Sequence, residues 1–461
     1  MKLFVKILLL FVLVTISNAT LVSTSFVHND LTVLEELDIN SEYITDYKLQ
    51  KEFQRRLKFS KKRYTQKLNN AYLFVPQIKK ILKENEIPSA FLYLGMAESN
   101  FILDASSKKS AKGLWQFMRK TGKHYGLEIN EFVDERMDIV KSTQAAVTYL
   151  KKLHSMFDKW YLAAVAYNCG EGRVIEGLTR STIDMYCEDV GYKICRKDPK
   201  INRFRQTIRN YQAKRVKFRE VNKIYREVKK WKYKPDINEL LIVQDGVGRQ
   251  YIPEESRGYI RKIIALAMMN NSDFLIKDDN THLLNRGISD PIANIEVKGG
   301  VLLKNVAELI GFDKSKLKKL NQHIKKNILP LDQDSYTLYI PYSKLSRYNL
   351  NKANLKSTQY ETYKVKGGDS LASIGREFGI NYKIIKKHNN LKNSRININQ
   401  ELIIPIDPDL YKRPINYVVK VGDSIGKIAT KYSVNFKKLM KDNNLKTSMI
   451  KIGDKLVIKF K

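Results

Sequence analysis

Phe91-Leu92-Tyr93-Leu94-Gly95-Met96-Ala97-Glu98-Ser99 is an apolar run that ends on a carboxylate. The run predicts a helix buried on every side, ending near Glu98. A structural glutamate normally sits on a solvated helix face. Glu98 instead continues a buried stretch, and a carboxyl group beside apolar side chains has its pKa raised because burial disfavours the charged form. Such a group can remain protonated near neutral pH and serve as a general acid. A lone glutamate there is more often a partly buried, paired residue, so its meaning depends on its surroundings.

Those surroundings read as helical. Val75-Pro76 and Ile87-Pro88 mark helix starts or turns. Apolar residues recur at helical spacing from Ser142 to Met156, and Leu162–Tyr167 and Ile260–Met269 are further apolar helices. Leu31–Tyr64 is charged and helical in pattern. From Arg180 to Gln250 the chain turns rich in Lys and Arg with little apolar periodicity, which predicts a solvated helical insertion.

The C-terminal half repeats itself. Tyr363-Lys-Val-Lys-Gly-Gly-Asp-Ser-Leu371 matches Tyr417-Val-Val-Lys-Val-Gly-Asp-Ser-Ile425, with Gly368 and Gly422 54 positions apart. The same offset maps Asn389-Asn390-Leu391 onto Asn443-Asn444-Leu445 and Ile404 onto Ile458. Alternating apolar residues at both ends with helical spacing between predict strand–helix–helix–strand, the strands pairing. Asp-Ser is a helix N-cap signal. A degenerate third copy runs from Ile295-Glu-Val-Lys-Gly-Gly-Val-Leu-Leu303 through Leu320-Asn321 to Tyr339-Ile340-Pro341, without the cap.

At 461 residues, with 43% hydrophobic, the chain has room for several cored domains. The formal net charge of +35 attracts polyanions. The Lys residues are scattered rather than gathered into the stripe of a nucleic-acid binder, so no nucleic acid is expected as partner; loose association with a membrane or cell envelope fits the charge. Lys2 and Lys6, the apolar run Ile7–Ile16 and Ser17-Asn18-Ala19 read as a secretory signal peptide over residues 1–19, with an uncleaved N-terminal anchor as the alternative, hence export to the periplasm or cell envelope. Oxidising surroundings would let Cys187 and Cys195 pair across a small loop, leaving Cys169 odd. No Cys/His cluster has metal-ligand spacing, so neither metal nor cofactor is expected.

Around Glu98-Ser99 lie Ala105, Ser107, Ala111, Gly113-Leu114-Trp115-Gln116-Phe117-Met118, Ala166-Tyr167-Asn168 and Gly170-Glu171-Gly172. These motifs resemble the lysozyme-like catalytic domain of the soluble lytic transglycosylase superfamily. Tyr125-Gly126-Leu127, Val133-Asp134-Glu135-Arg136 and Ser142-Thr143 resemble its membrane-bound lytic murein transglycosylase D branch, and the repeats resemble LysM peptidoglycan-binding modules. The resemblance implies a mostly α lysozyme-like catalytic domain followed by small α/β (βααβ) LysM modules. The expected layout is an N-terminal helical segment over 20–70, the catalytic domain over 71–275 with the basic insertion at about 180–250, a degenerate LysM-like module over 290–345, and LysM modules over 361–406 and 415–459.

The resemblance also implies roles. Glu98 is the single acid/base, and Ser99, Ser107, Gln116, Tyr167, Asn168 and Tyr259 fall at substrate-binding positions. In the LysM modules Gly368, Asp369, Ser370 and Leu371 with Asn397-Ile398, and Gly422, Asp423, Ser424 and Ile425 with Lys451-Ile452, are the glycan-binding candidates; simple helix capping accounts equally well for the Asp-Ser pairs. Leu103, Ser110 and Cys169 depart from the family's usual Pro, Gly and Ala, which bears on loop geometry rather than chemistry. The implied reaction cleaves the MurNAc–GlcNAc β-1,4 bond of peptidoglycan and leaves 1,6-anhydro-MurNAc ends. A goose-type lysozyme-like hydrolase acting on the same bond, and a wall-binding scaffold with a dead catalytic fold, are the competing readings.

Overall fold

The computed structural model describes residues 28–130, 132–276, 282–288, 291–330, 333–355, 360–378, 381–405, 415–432 and 434–459. The signal peptide expected over residues 1–19 lies outside the described residues. The chain divides into two units: the described residues up to Leu127 together with those from Ile139 to 288, and Glu128–Asp138 together with those from Pro291 onward.

The first unit is helical throughout. Helix Phe91–Ser99 buries every residue from Phe91 to Ala97, as its unbroken apolar run requires. It stops where Asn100 enters the left-handed region at φ 55° and donates its N–H to the Met96 carbonyl, an ordinary C-terminal closure for asparagine. Helices Val75–Glu84, Ile139–Phe157 and Trp160–Cys169 supply further core, with Ile78, Leu94, Trp115, Ala146, Leu150 and Ile264 fully buried. Helix Glu254–Met268 packs against Tyr47–Phe59, Phe91–Ser99 and Trp160–Cys169. It is pinned by the Tyr64 hydroxyl donating to the Leu266 carbonyl at 3.1 Å and by Arg261 paired with Asp46 at 3.0 Å.

The basic stretch departs from its sequence expectation. Helices Pro199–Gln212 and Phe218–Val228 build a small core with Ile183, Cys187, Cys195, Ile201, Phe204, Ile208, Ile224 and Val228. The apolar stripes Ile201/Phe204/Ile208 and Val221/Ile224/Val228 were present but diluted by the intervening Lys and Arg. Some of those cations converge on the fully buried Glu176, which accepts from Arg249 Nε at 2.8 Å and Gln212 at 2.7 Å and pairs with Arg173 at 3.2 Å. Cys187 and Cys195 form a disulfide, and Cys169 is half-buried and free.

The second unit holds three βααβ modules, each with one antiparallel pair: β1 (Ile292–Lys298) with β2 (Ser335–Pro341), β3 (Tyr360–Lys364) with β4 (Glu401–Pro405), and β5 (Ile415–Val418) with β6 (Lys455–Ile458). One asparagine repeats in all three. Asn389 donates to the Ile385 and Ile403 carbonyls at 2.8 Å and accepts from the Ile403 N–H at 2.8 Å. Asn443 does the same with Leu439 and Val457, and Asn321 with Leu317 and Tyr339. The side chain thus staples the end of the second helix to the second strand. This shared staple identifies the divergent first module as a true copy, although its helix Leu303–Ile310 starts at Leu302 with no side-chain cap.

The first module also embraces Glu128–Asp138. Phe132 and Val133 join its core, Val133 pairs with Ile324, and the hydroxyls of Tyr336 and Tyr339 donate to Glu135 at 2.8 Å and Asp138 at 2.7 Å. Val133-Asp134-Glu135-Arg136 is therefore a structural brace, with Asp134 and Arg136 paired at 2.8 Å. Asn321 is fully buried. Replacing it with alanine leaves the Tyr339 N–H and C=O without their partner, at a cost of about 2–4 kcal/mol. Hydrogen exchange at the Tyr339 amide checks this: protection is expected to collapse in Asn321→Ala, and wild-type protection there contradicts the stapling role.

Candidate functional site

One face of helix Glu254–Met268 assembles the site. Ser256, Tyr259 and Lys262 recur every third residue and so share that face. The Ser256 hydroxyl donates to Asn168 Oδ1 at 2.7 Å, the Tyr259 hydroxyl to Glu98 Oε1 at 2.6 Å, and Lys262 Nζ to the Ala97 carbonyl at 2.7 Å. Burial pushes the Glu98 carboxyl above its ordinary range; the Tyr259 hydrogen bond and the Lys262 charge pull the other way, and Glu255 adds a small push upward. The group therefore stays raised while its ionised form retains a donor. Burial and the Glu98 charge hold the Tyr259 phenol far above its usual range, so it remains a donor. The Tyr167 phenol is also raised by burial, with Glu98 adding to it, and its hydroxyl donates to the Trp115 carbonyl at 2.7 Å.

An aromatic series runs beside these groups. Ring centroids are 5.3 Å apart for Tyr149 and Tyr167, 5.0 Å for Tyr125 and Tyr149, and 6.4 Å for Phe117 and Tyr167. Phe117 is buried, and the half-buried Tyr125, Tyr149 and Tyr167 rings can offer faces to the apolar face of a sugar. Opposite them in sequence, the loop Ala105–Phe117 is locked from within. Gln116 Nε2 donates to the Gly113 and Ala105 carbonyls at 2.8 and 3.2 Å, and Ser107 Oγ accepts the Ala111 N–H at 3.0 Å. Trp115 is fully buried with its indole N–H donated to Thr143 Oγ1 at 2.9 Å. Gln116 sits at φ 48° and Ser110 at φ 64°, backbone conformations that L side chains seldom adopt and that the loop's hydrogen bonds must hold.

The site residues expected from sequence thus fall into two groups. Glu98, Tyr167, Asn168 and Tyr259 come together. Ser107 and Gln116 shape the loop with the groups described above. Ser99 points inward, 3% exposed, with its hydroxyl donated to the Gly95 carbonyl at 3.0 Å, so it supports the helix carrying Glu98. Lys262, Ser256, Tyr125 and Tyr149 were missed. Lys262 had a signal in its three-residue spacing from Tyr259, whereas Tyr125 stands only in the Tyr125-Gly126-Leu127 motif and Tyr149 only in a helical apolar pattern. Among the described residues no group of His, Cys, Asp and Glu is arranged to hold a metal ion.

In the second and third modules the candidate loops are held by their own side chains. Asp369 accepts from the Tyr363 hydroxyl at 2.9 Å and the Lys366 N–H at 2.7 Å, and Asp423 from Tyr417 and Lys420 at 2.7 and 2.8 Å. Ser370 forms a capping box with Ser373, and Ser424 Oγ accepts the Lys427 N–H at 3.2 Å. Leu371 and Ile425 are core residues, 1% and 0% exposed, while Gly368 and Gly422 take φ 86° and 81°. The surface beside these turns is apolar: Ile398, Val421 and Ile452 are well exposed, with Met449. The first module differs here. A Cβ on Gly299 would meet the Gln333 and Pro330 carbonyl oxygens at 2.2 and 2.5 Å, whereas one on the equivalent Gly367 meets only Ile398 at 4.0 Å. In the first module Gly299 lies against the second loop, whereas in the second module Gly367 has space around it.

The chain matches the Transglycosylase SLT domain family over residues 76–183. It matches the family described as Lytic transglycosylase MltD, LysM-like domain over 292–357, and the LysM domain family over 363–405 and 417–459. Membrane-bound lytic murein transglycosylase D of Escherichia coli (strain K12) is 27% identical over 397 residues, which cover 82% of this chain and 74% of that protein. N-acetylmuramoyl-L-alanine amidase sle1 of Staphylococcus epidermidis is 30% identical over 172 residues, 35% of this chain and 49% of that one. The crystal structure of the Bacillus cereus spore cortex-lytic enzyme SleL aligns over 22% of each chain at 30% identity, with a TM-score of 0.10.

Removing the Tyr259 hydroxyl deletes a charge-assisted hydrogen bond that favours ionised Glu98, so Tyr259→Phe is expected to raise the Glu98 titration midpoint further, by about one pH unit. Carboxyl carbon NMR of the labelled protein reads it directly. A midpoint that stays put or falls contradicts the assignment.

Proposed function

We propose that this chain, which matches the Transglycosylase SLT domain and LysM domain families, is a lytic transglycosylase that cleaves the MurNAc–GlcNAc β-1,4 bond of peptidoglycan and leaves 1,6-anhydro-MurNAc ends. The observation that carries this is Glu98: a half-buried carboxyl of raised pKa, held by one neutral donor, Tyr259. Protonated, Glu98 donates to the glycosidic oxygen as the bond to C1 breaks. The leaving sugar departs as a neutral alcohol, and the positive charge that develops at C1 is carried by an oxocarbenium-like or substrate-assisted intermediate, as in glycosidases that work without a second carboxylate. Asp104, the carboxylate nearest in sequence, is exposed and belongs to no part of this constellation. Ionised Glu98, still hydrogen-bonded by Tyr259, then takes the proton of the MurNAc 6-hydroxyl as that oxygen closes on C1. Attack within one sugar gains from proximity over attack by water.

Asn168, fixed by Ser256, and the Tyr125/Tyr149/Tyr167 rings supply polar and aromatic contacts to the strand. Ser107 and Gln116 act by shaping the loop that carries Trp115. The second and third modules bind glycan along their exposed apolar turns, where Ile398 and Ile452 stand beside the Gly-Asp-Ser loops, and tandem weak sites raise the local concentration of strand. The enzyme works outside the cytoplasm, where its polymer lies; among the described residues no helix is long and apolar enough to cross a membrane.

Mass spectrometry of muropeptides released from purified peptidoglycan tests the chemistry. Products lighter by one water are expected, and reducing MurNAc ends would mean hydrolysis instead. Glu98→Gln is expected to lower release by on the order of 10² to 10⁴, and wild-type release from that variant would overturn the role of Glu98. A chain ending before Tyr360 is expected to sediment less with insoluble peptidoglycan while still releasing muropeptides; undiminished sedimentation would remove the binding role of these modules.

A further inference from the structure

A cavity of about 510 Å³ opens beside the Glu98 helix and is lined by five cations, Arg55, Arg56, Arg63, Lys67 and Lys262. Asn100 and Ile102, just past the end of that helix, form its near wall, and the others come from helices Tyr47–Phe59, Lys61–Ala71 and Glu254–Met268. Its volume is that of a small-ligand site. The charge within it is poorly balanced. Glu52 alone answers the two arginines of its own helix, accepting from Arg55 Nη2 at 2.7 Å and from Arg56. Lys262 Nζ donates a hydrogen bond to the Ala97 carbonyl, and the Glu98 and Glu52 charges also act on it.

Lys67 stands out. It is 8% exposed, lines the cavity, and has neither a carboxylate nor a hydrogen-bond acceptor among the described residues. Burial pulls its ammonium down to about 8, and the Lys262, Arg56 and Arg63 charges add to that. Its aliphatic stem is buried while its Nζ opens to the cavity, where an ammonium facing like charges is stabilised by an incoming anion. The neutral sugars of a glycan strand cannot supply one. The peptide stem that hangs from the lactyl group of MurNAc can, because it carries free carboxylates. It also leaves the strand at the sugar on which Glu98 acts.

We propose that this cavity binds a free carboxylate of the peptide stem on the MurNAc undergoing cleavage, with Lys67 and Arg63 as its principal cations. The assignment rests on the reading of Glu98 as the acting acid for its substrate, though not for its geometry. It makes the stem, as well as the glycan, a part of what the enzyme recognises. The N-terminal helices, which lie outside the residues matched to the SLT domain, then serve recognition as well as packing.

Calorimetric titration of the full-length protein with a soluble disaccharide-tetrapeptide, and with the same molecule after its carboxylates are converted to methylamides, separates the stem from the sugars. The LysM modules meet the same glycan in both. The carboxylate form is expected to bind about tenfold tighter, and Lys67→Met is expected to bring that ratio close to one. Arg63→Gln, an exposed change that spares the fold, is expected to reduce it by about half or more in case Lys67→Met unfolds. Equal affinities in the wild type, or a ratio that survives both substitutions, would overturn the proposal. So would inorganic phosphate binding that depends on Lys67 while the two muropeptides bind alike, which would make the cavity a phosphate site. Because the readout is binding, a chain that discriminates the two ligands yet releases no muropeptides would retain this site and lose the catalytic reading instead.

Discussion

The hydrogen bond from Tyr259 to Glu98, 2.6 Å long between residues 161 positions apart, is the constraint around which the first unit is arranged. A carboxyl group that must first give a proton and then take one needs an environment favouring neither state outright. Burial in the helix Phe91–Ser99 supplies the upward push, and a neutral phenol and a nearby ammonium limit it. That balance requires helix Glu254–Met268 to stay in register with the Glu98 helix. A shift by one residue would turn Ser256, Tyr259 and Lys262 by about 100° away from Asn168, Glu98 and Ala97 together. The tethers Tyr64–Leu266 and Asp46–Arg261, from the N-terminal helices, act against that shift.

In the second unit the same βααβ frame serves two ends. The Asn staple and the paired strands recur in all three modules, so the frame is common. What differs is the space between the two loops. In the first module Gly299 lies against the Gln333 and Pro330 carbonyls, and the Asp-Ser pair is replaced by buried Val301 and Leu302. The module's tyrosines hold Glu135 and Asp138. In the second module Gly367 has space around it, and in the second and third modules the apolar turn residues Ile398, Val421 and Ile452 stay exposed.

Much of this was legible in the sequence because its signals were local. The helix ending at Glu98 followed from an unbroken apolar run, and the modules followed from a repeat without gaps. Tyr259, placed by resemblance, landed on Glu98. What escaped was non-local or diluted. The core of the basic stretch hid because Ile201, Phe204 and Ile208 are separated by cations. The brace role of Val133-Asp134-Glu135-Arg136 depends on Tyr336 and Tyr339, about 200 positions on, and no local pattern announces that. Leu371 and Ile425 were read as binding residues beside Asp-Ser, yet the helix that Ser370 or Ser424 caps must begin with an inward apolar residue, and both are core.

The charge teaches the same lesson more sharply. Along the chain the cations are scattered, which argued against a dedicated nucleic-acid binder. Folding gathers Arg55, Arg56, Arg63 and Lys67 with Lys262, from two regions about 200 residues apart, into one cavity. Linear spacing measures clustering only along a single helix face, so a site built by docking one helix on others is invisible to it. The docking that creates the cavity is also the docking that seats Tyr259 on Glu98, since Lys262 and Tyr259 share a face. A basic cavity beside the helix that carries Glu98 is therefore a consequence of how that helix is held, and Lys262 contributes to both: its charge restrains the rise of the Glu98 pKa and adds to the repulsion at Lys67.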